Sequence, residues 1–315
     1  MTKLIGIDVG GTNLRLGVVQ YLNNQAILIE EARFQADFSD YCKSHPADTA
    51  WQKILSTIDS AIKKVREKHS DILAVGIGFP GFIDPITQTI SQSPNLPGLR
   101  NVDLSNDLQQ LIKLPVITEN DALAAAYGEY MSLGNKLQNM IYLGLGTGVG
   151  GGLIINGQPF QGQHGVAMEV GHIITQPQGR PCGCGNHGCM EQYASATGVA
   201  NSYFESTGQQ LEAVDVAKLA TQGDAHAIAA YELAGISLAQ ALAHILKVID
   251  VTDVLVGGGV SAAWPLMQTK FTQQLQQDLI PALRGRVNIH LASLDDQAGI
   301  IGAALLAFGH QEILK

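Results

Sequence analysis

Two stretches share one design. LIGIDVGGTNLRLGVVQ (residues 4–20) and MIYLGLGTGVGGGLIIN (140–156) each read as an apolar strand, a glycine turn carrying a threonine, and a second apolar strand. In the first, Gly10 and Gly11 can take the positive φ open to glycine. Turns of this kind present backbone N–H groups and a hydroxyl, the makings of an anion-binding nest.

The rest of the chain alternates strand and helix. Trp51, Ile54, Leu55, Ile58, Ile62 and Val65 mark one face of a helix at about 49–69. A buried strand ILAVGIGFPG, a short helix at about 104–112 and the strand PVITEN follow, and PVITEN hands over to the helix-favouring DALAAAYGEYMSLG. Further helices are expected at 225–248 and 265–283 around the strand VTDVLVGGGVS, with AGIIGAALLAFGHQEIL as a closing helix. The alternation makes the class α/β. The domain boundary is placed near Thr118, at the handover, giving lobes of 1–118 and 119–297.

Charge and composition narrow the partners. The formal net charge is −9 and no Lys/Arg cluster stands out, which argues against nucleic acid as a partner. No uninterrupted apolar run reaches the ~20 residues of a membrane span, and MTKLIGIDVGG lacks the pattern of a secretory signal or transit peptide. A cytoplasmic protein with a small-molecule partner is expected.

The segment GTGVGG, Gly146 to Gly151, matches a dinucleotide-binding pattern, but such a loop must open a helix and here it leads into the apolar GGLIIN. No Walker A sequence occurs. The other dense signal is EVGHIITQPQGRPCGCGNHGCMEQY (169–193), with Cys182, Cys184 and Cys189 close together and His172 and His187 nearby. Three thiols with one imidazole make a frequent structural zinc set. Either histidine could complete it.

Taken with DVGGTN, PGFID, SPNLPG, END, EVGH, CGCGNHGCME and VGGGVS in that order, the two glycine turns make the chain resemble the ROK family of sugar kinases nearly end to end. The resemblance implies a two-lobed actin-like ATPase (ribonuclease H-like) fold, with a duplicated α/β core and a cleft where ATP and sugar meet. It also implies that a final helix at about 298–315 completes the N-terminal lobe. DVGGTN would be the first phosphate motif, supplying Asp8, Gly10, Gly11, Thr12 and Asn13. The second phosphate motif would supply Gly146, Thr147 and Gly148, and the adenosine motif Gly258 and Gly259. Asp121 would be the general base, and Asp8 would reach Mg²⁺ through water.

Sugar contacts implied in the same way are Gly81 (through its backbone), Asn95, Asn120, Asp121, Glu169, His172 and Glu191. His172, rather than His187, would join Cys182, Cys184 and Cys189 on a structural zinc ion, leaving no open position for a catalytic water. By residue type alone, Asn120 and Asp121 are also what caps a helix, and Asn95 is a turn residue. Met168 stands where relatives commonly have a glycine, and its bulk would either alter the sugar pocket near C1 and C2 or fill a core gap.

The expected activity is ATP-dependent phosphorylation of an aldohexose at the 6-hydroxyl, with glucose as the leading substrate and N-acetylglucosamine or N-acetylmannosamine as the alternatives. A homodimer is expected. Sugar-sensing transcriptional regulators share the family, but they carry a DNA-binding segment ahead of the first phosphate motif, where this sequence already has Ile5 in its first strand. A nucleotide-binding structural protein of the actin kind would not need the END and EVGH groups.

Overall fold

The first glycine turn closes as a hairpin. Strand β1 (Thr2–Val9) runs antiparallel to β2 (Asn13–Leu22), with Asp8 opposite Arg15 and the Gly10 N–H donated to the Asn13 carbonyl. Neither Gly10 nor Gly11 uses the positive φ open to glycine. Their lack of a side chain provides room instead. A Cβ on Gly10 would stand 3.1 Å from the Asn13 carbonyl oxygen, and one on Gly11 would stand 3.3 Å from Ser39 Cβ.

The structure, a computed structural model, describes residues 2–23, 25–134 and 137–313. After the hairpin come β3 (Gln25–Gln35), α1 (Phe38–Ser44), α2 (Ala47–Arg66), β4 (Ile72–Phe79), the short strands β5 (Phe82–Ile83) and β6 (Ile90–Gln92), α3 (Leu104–Ile112), β7 (Val116–Asn120) and α4 (Asp121–Ser132). The second half holds β8 (Met140–Leu145), β9 (Val149–Ile155), β10 (Gln158–Pro159), α5 (Glu191–Ala194), α6 (Ala196–Thr207), α7 (Ala213–Thr221), α8 (Ala225–Ile249), β11 (Asp253–Gly257), α9 (Trp264–Asp278), β12 (Asn288–Leu291) and α10 (Ala298–Ile313).

Among the described residues two sheets have five strands, ordered β3-β2-β1-β4-β7 and β10-β9-β8-β11-β12. Numbered within its own sheet, each order reads third, second, first, fourth, fifth. The repeat of the two glycine hairpins therefore extends to whole sheets. In both, the fourth strand runs parallel to the first and to the fifth.

By its contacts the chain forms two compact units, one of Met1–Gln138, Gly152–Ala167 and Asp296–Lys315, the other of Asn139–Gly151 and Met168–Asp295. The handover near Thr118 thus lies inside the first unit. The physical reason is that β7 pairs with β4 and α4 packs against α10.

In the first unit β1 and β4 are buried on both faces. Helices α2 and α3 cover one face through Trp51, Ile54, Ile58, Leu104 and Leu108, all at most 7% exposed. Helix α10 covers the other at backbone distance. A Cβ on Gly6 or Gly76 would lie 1.9 or 1.7 Å from the carbonyl oxygen of Ile300 or Ala303, so glycine at both crossings is what lets the helix sit there.

Helix α9 ends at Asp278 rather than near Leu283. Pro281 opens a separate turn, and the residue before a proline is driven out of helical conformation. Helix α8 is long and apolar enough to cross a membrane by length and composition, although polar residues interrupt its apolar run. It is a core helix of the second unit, with Ala230, Ala234, Leu238 and Leu242 buried.

Candidate active site

In the first unit the β7–α4 corner carries END. Asn120 is the N-cap of α4: its Oδ1 accepts the Leu123 N–H at 3.0 Å, and its Nδ2 donates to the Gly81 carbonyl at 3.2 Å. The expected cap and the Gly81 loop are thereby tied into one object. Ser93 holds the same loop by donating its hydroxyl to the Pro80 carbonyl. Asp121 is the first residue of the helix and half-buried, and its carboxylate accepts the Ala122 N–H at 2.8 Å. Asn95 lies exposed in the Ser93–Leu96 turn.

Asp8, at the end of β1, is close enough to Asp121 for their charges to interact. Burial first, and then the Asp121 charge, raises the Asp8 carboxyl to about 6, with Asp296 adding to the rise and Arg15 opposing it from 3.8 Å. Two neighbouring carboxylates of which one resists ionisation form a natural cation ligand set. Thr12 and Asn13 are exposed at the turn and bonded to each other, Asn13 Nδ2 donating to Thr12 Oγ1 at 3.2 Å.

The raised value fixes a sign. A carboxyl titrating near 6 when folded and near 3.8 when unfolded favours the folded state at low pH, and that contribution is lost as pH rises from about 4 to about 6. The full shift would be about 3 kcal/mol at 1.36 kcal/mol per unit, and solvent at the 30% exposed side chain discounts it to about 1–2 kcal/mol. In metal-free protein Asp8→Asn is therefore expected to be more stable than wild type at pH 8, with the gap closing toward pH 4. Chemical denaturation at both pH values checks this, and a gap independent of pH contradicts it.

In the second unit the 146–148 turn is held by α6, which sends its Ala196 N–H to the Gly146 carbonyl at 2.9 Å and its Thr197 hydroxyl to the Thr147 carbonyl at 3.0 Å. Strand β9 follows, as the rejection of a dinucleotide loop requires. Gly258 sits at φ 80°, and a Cβ there would lie 2.4 Å from the Leu145 carbonyl oxygen, so the VGGGVS segment abuts the end of β8, next to Gly146. Gly259 begins the next turn and faces open space.

Glu191, the first residue of α5, accepts the Val149 N–H at 2.9 Å. Gly148 must be glycine for this, since a Cβ would stand 2.4 Å from Glu191 Oε2. Glu169 interacts with Glu191, and its carboxyl is raised by burial first and by Glu191 second, with His172 opposing. His172 Nε2 lies 3.7 Å from Glu169 Oε2. The two glutamates and His172 thus cluster with the second glycine turn.

The other nitrogen of His172 serves a different group. Its Nδ1 is 3.6 Å from Cys182 Sγ, Cys184 Sγ is 3.6 Å from Cys189 Sγ, and the four donor atoms all lie within 4.8 Å of one another. Zinc bonds of about 2.3 Å to sulfur and 2.0–2.1 Å to nitrogen give tetrahedral edges of about 3.6–3.8 Å. The set therefore fits zinc, and its thiols are too far apart for a disulfide. Burial and the adjacent thiols push Cys189 up to about 12, while the Asn186 backbone pulls Cys184 down. A divalent cation relieves that crowding by taking thiolates.

Two residues that support the site carried no sequence signal. Arg180 spans the metal loop and the next two helices: its backbone N–H goes to the Tyr193 hydroxyl at 2.9 Å, its guanidinium lies 4.6 Å over the Tyr193 ring, and it bonds the Gln192 and Gly198 carbonyls and Glu205. Glu119, the first residue of END, has no role of its own in the sequence reading, and it is buried and bonded to Gln161. Met168 departs from what its backbone favours. It sits at φ 65°, a left-handed conformation suited to glycine that costs an L-residue about 1–2 kcal/mol. Its side chain and Glu169 line a cavity of about 300 Å³ with Ile173, His244, Ile245 and Val248.

A model of the ROK family matches residues 4–310, and the chain belongs to that family. It is similar to a glucokinase of Streptomyces coelicolor, 34% identical over 326 residues covering 98% of each chain. It is similar also to an N-acetylmannosamine kinase of Yersinia pestis, 32% identical over 309 residues covering 98% of this chain and 99% of the relative. Among solved structures, a ROK family glucokinase from Streptomyces griseus in complex with glucose and AMPPNP matches at TM-score 0.80 and 32% identity, over 98% of this chain and 99% of that one. The fold is that of the actin-like ATPases, a duplicated α/β core, as the repeated sheet order already indicates.

Proposed function

We propose that this chain is an ATP-dependent hexose kinase that transfers a phosphoryl group to the 6-hydroxyl of glucose. The single observation that carries the reading is the corner at Asn120–Asp121, where a carboxylate is held at a helix start beside a second carboxylate, Asp8. Full-length similarity to glucokinases supports the choice of sugar.

Phosphoryl transfer asks the protein for positioning, charge neutralisation and a proton acceptor. Asp121 accepts the proton of the attacking hydroxyl, and the N–H groups at the start of α4 favour its ionised form. Asn95, Asn120, the Gly81 backbone, Glu169, His172 and Glu191 hold the sugar hydroxyls. Thr12, Thr147 and the glycine turns at 10–11 and 146–148 hold phosphate oxygens, and Gly258 and Gly259 border the adenosine. Asp8 would hold Mg²⁺ through water, and the ion would supply neutralisation of phosphate charge. His172, Cys182, Cys184 and Cys189 would hold zinc, which would keep the 179–189 loop folded, while the second nitrogen of His172 would face the sugar, a structural task with no proton step. The protein acts in the cytoplasm as a homodimer.

Similarity to N-acetylmannosamine kinases at nearly the same identity favours a second reading, in which an N-acetylhexosamine is the acceptor. A coupled ADP-release assay over glucose, N-acetylglucosamine, N-acetylmannosamine, mannose and fructose decides between them. The highest kcat/KM is expected for glucose. A higher value for either N-acetyl sugar replaces the first reading with the second, and no release with any hexose removes both.

A further inference from the structure

Glu119 ends β7, immediately before the corner that carries Asp121, and it is only 5% exposed. The proposed chemistry does not use it. Burying a carboxylate is costly unless it is well bonded, and a neutral residue would fill the space more cheaply. Its bonds are specific. One oxygen accepts the Asn120 backbone N–H at 2.8 Å, and the other accepts the side-chain amide of Gln161. Burial still pushes its carboxyl up to about 7, against the pull of those two bonds.

Each partner leads somewhere. With its N–H on Glu119, its Oδ1 on the Leu123 N–H and its Nδ2 on the Gly81 carbonyl, Asn120 is tied at three points, so the residue ahead of Asp121 has little freedom to turn. Gln161 belongs to a loop of the same unit. Phe160 donates its N–H to the Leu153 carbonyl, and Ala167 donates back to the Gln161 carbonyl at 3.3 Å. Gly165, at φ 67°, seats the loop on the Ile83 carbonyl, where a Cβ would come within 1.8 Å. The chain then runs straight on to Met168 and Glu169. The Glu119–Gln161 bond therefore joins the two segments that lead into the base and into a sugar-binding carboxylate.

We propose that Glu119 and Gln161 are a positioning pair for phosphoryl transfer: Gln161 fixes the Glu119 carboxylate, which fixes the Asn120 backbone and with it the direction of the Asp121 side chain. This rests on the kinase reading with Asp121 as base. A small misplacement of a reacting group is costly in rate even where binding is kept.

The test is a reciprocal exchange. Gln161→Glu sets two carboxyls against each other and removes the amide donor, whereas Glu119→Gln combined with Gln161→Glu restores one amide and one carboxylate with the charge moved across the bond. Steady-state kinetics with glucose and ATP, with a thermal melt of each protein, give the readout. Gln161→Glu is expected to lower kcat by about ten- to a hundredfold with the KM for ATP within about twofold, and the double variant is expected to recover most of the loss.

A Gln161→Glu protein that melts lower yet keeps kcat within about twofold of wild type overturns the inference. So does a double variant no faster than the single one. Gln161→Leu, which adds no charge, guards against misfolding of the charged variant and is expected to lower kcat in the same direction; wild-type kcat in that protein also overturns the pairing. Wild-type protein that releases no ADP with any hexose fails the kinase reading itself, and the inference falls with it.

Discussion

Asp121→Asn is expected to lower kcat for hexose phosphorylation by about 10²–10⁴, the span that general acid–base catalysis covers, with the fold retained and sugar affinity close to wild type. The geometry explains the separation. The Asp121 carboxylate accepts the Ala122 N–H, a bond that an asparagine carbonyl oxygen also accepts, so the start of α4 is preserved. Loss of the negative charge at a helix N-terminus costs about 0.3–1 kcal/mol, partly offset by relief of repulsion with Asp8. The amide has no basic oxygen to take the hydroxyl proton. Steady-state ADP release, sugar binding by titration and a thermal melt read the three properties separately. Turnover within about threefold of wild type would remove Asp121 as the base.

Stripping the metal from the Cys182, Cys184, Cys189 and His172 set is expected to lower the melting temperature and to raise the sugar KM by about tenfold, the equivalent of about 1.4 kcal/mol. The loop has little else to hold it. Pro181 and Gly183–His187 are exposed, and its backbone closes on itself through the Cys182 N–H to the Asn186 carbonyl and the Gly188 N–H to the Arg180 carbonyl. Structural zinc commonly contributes folding free energy outright. Here the Arg180 strap secures the loop base and limits the damage. The kinetic effect should pass through His172, which faces Cys182 with one nitrogen and Glu169 with the other. Unchanged melting and unchanged KM in protein verified metal-free by elemental analysis would refute the linkage. Cys184→Ser, at an exposed position, gives a milder version of the same test.

Sequence alone revealed most where function depends on short local patterns. The hairpin at Asp8–Asn13, the strand-to-helix corner at Asn120–Asp121 and the three clustered cysteines each show in a few consecutive residues, and each stands in the structure as read. What stayed hidden joins distant residues. Gln161 reaches Glu119 across the strands between them, and Arg180 meets Glu205 two helices on, so no periodicity records either pair. At Gly10 and Gly11 glycine serves as room rather than as conformational freedom, a distinction that residue type alone does not carry. Met168 is the reverse case, a position whose backbone suits glycine while its side chain lines a cavity.

The seat of α10 also sets the order in which the protein can be completed during synthesis. The first unit takes its closing helix from residues 298–313, after every residue of the second unit has been made. Until then β1 and β4 leave the ribosome with one apolar face uncovered, and the glycines at 6 and 76 wait for a helix backbone that does not yet exist. Domains otherwise tend to fold in order from the N-terminus. Here the second unit, begun later, has all its strands and helices first, so the half carrying Asp121 is the last to have all its elements synthesised.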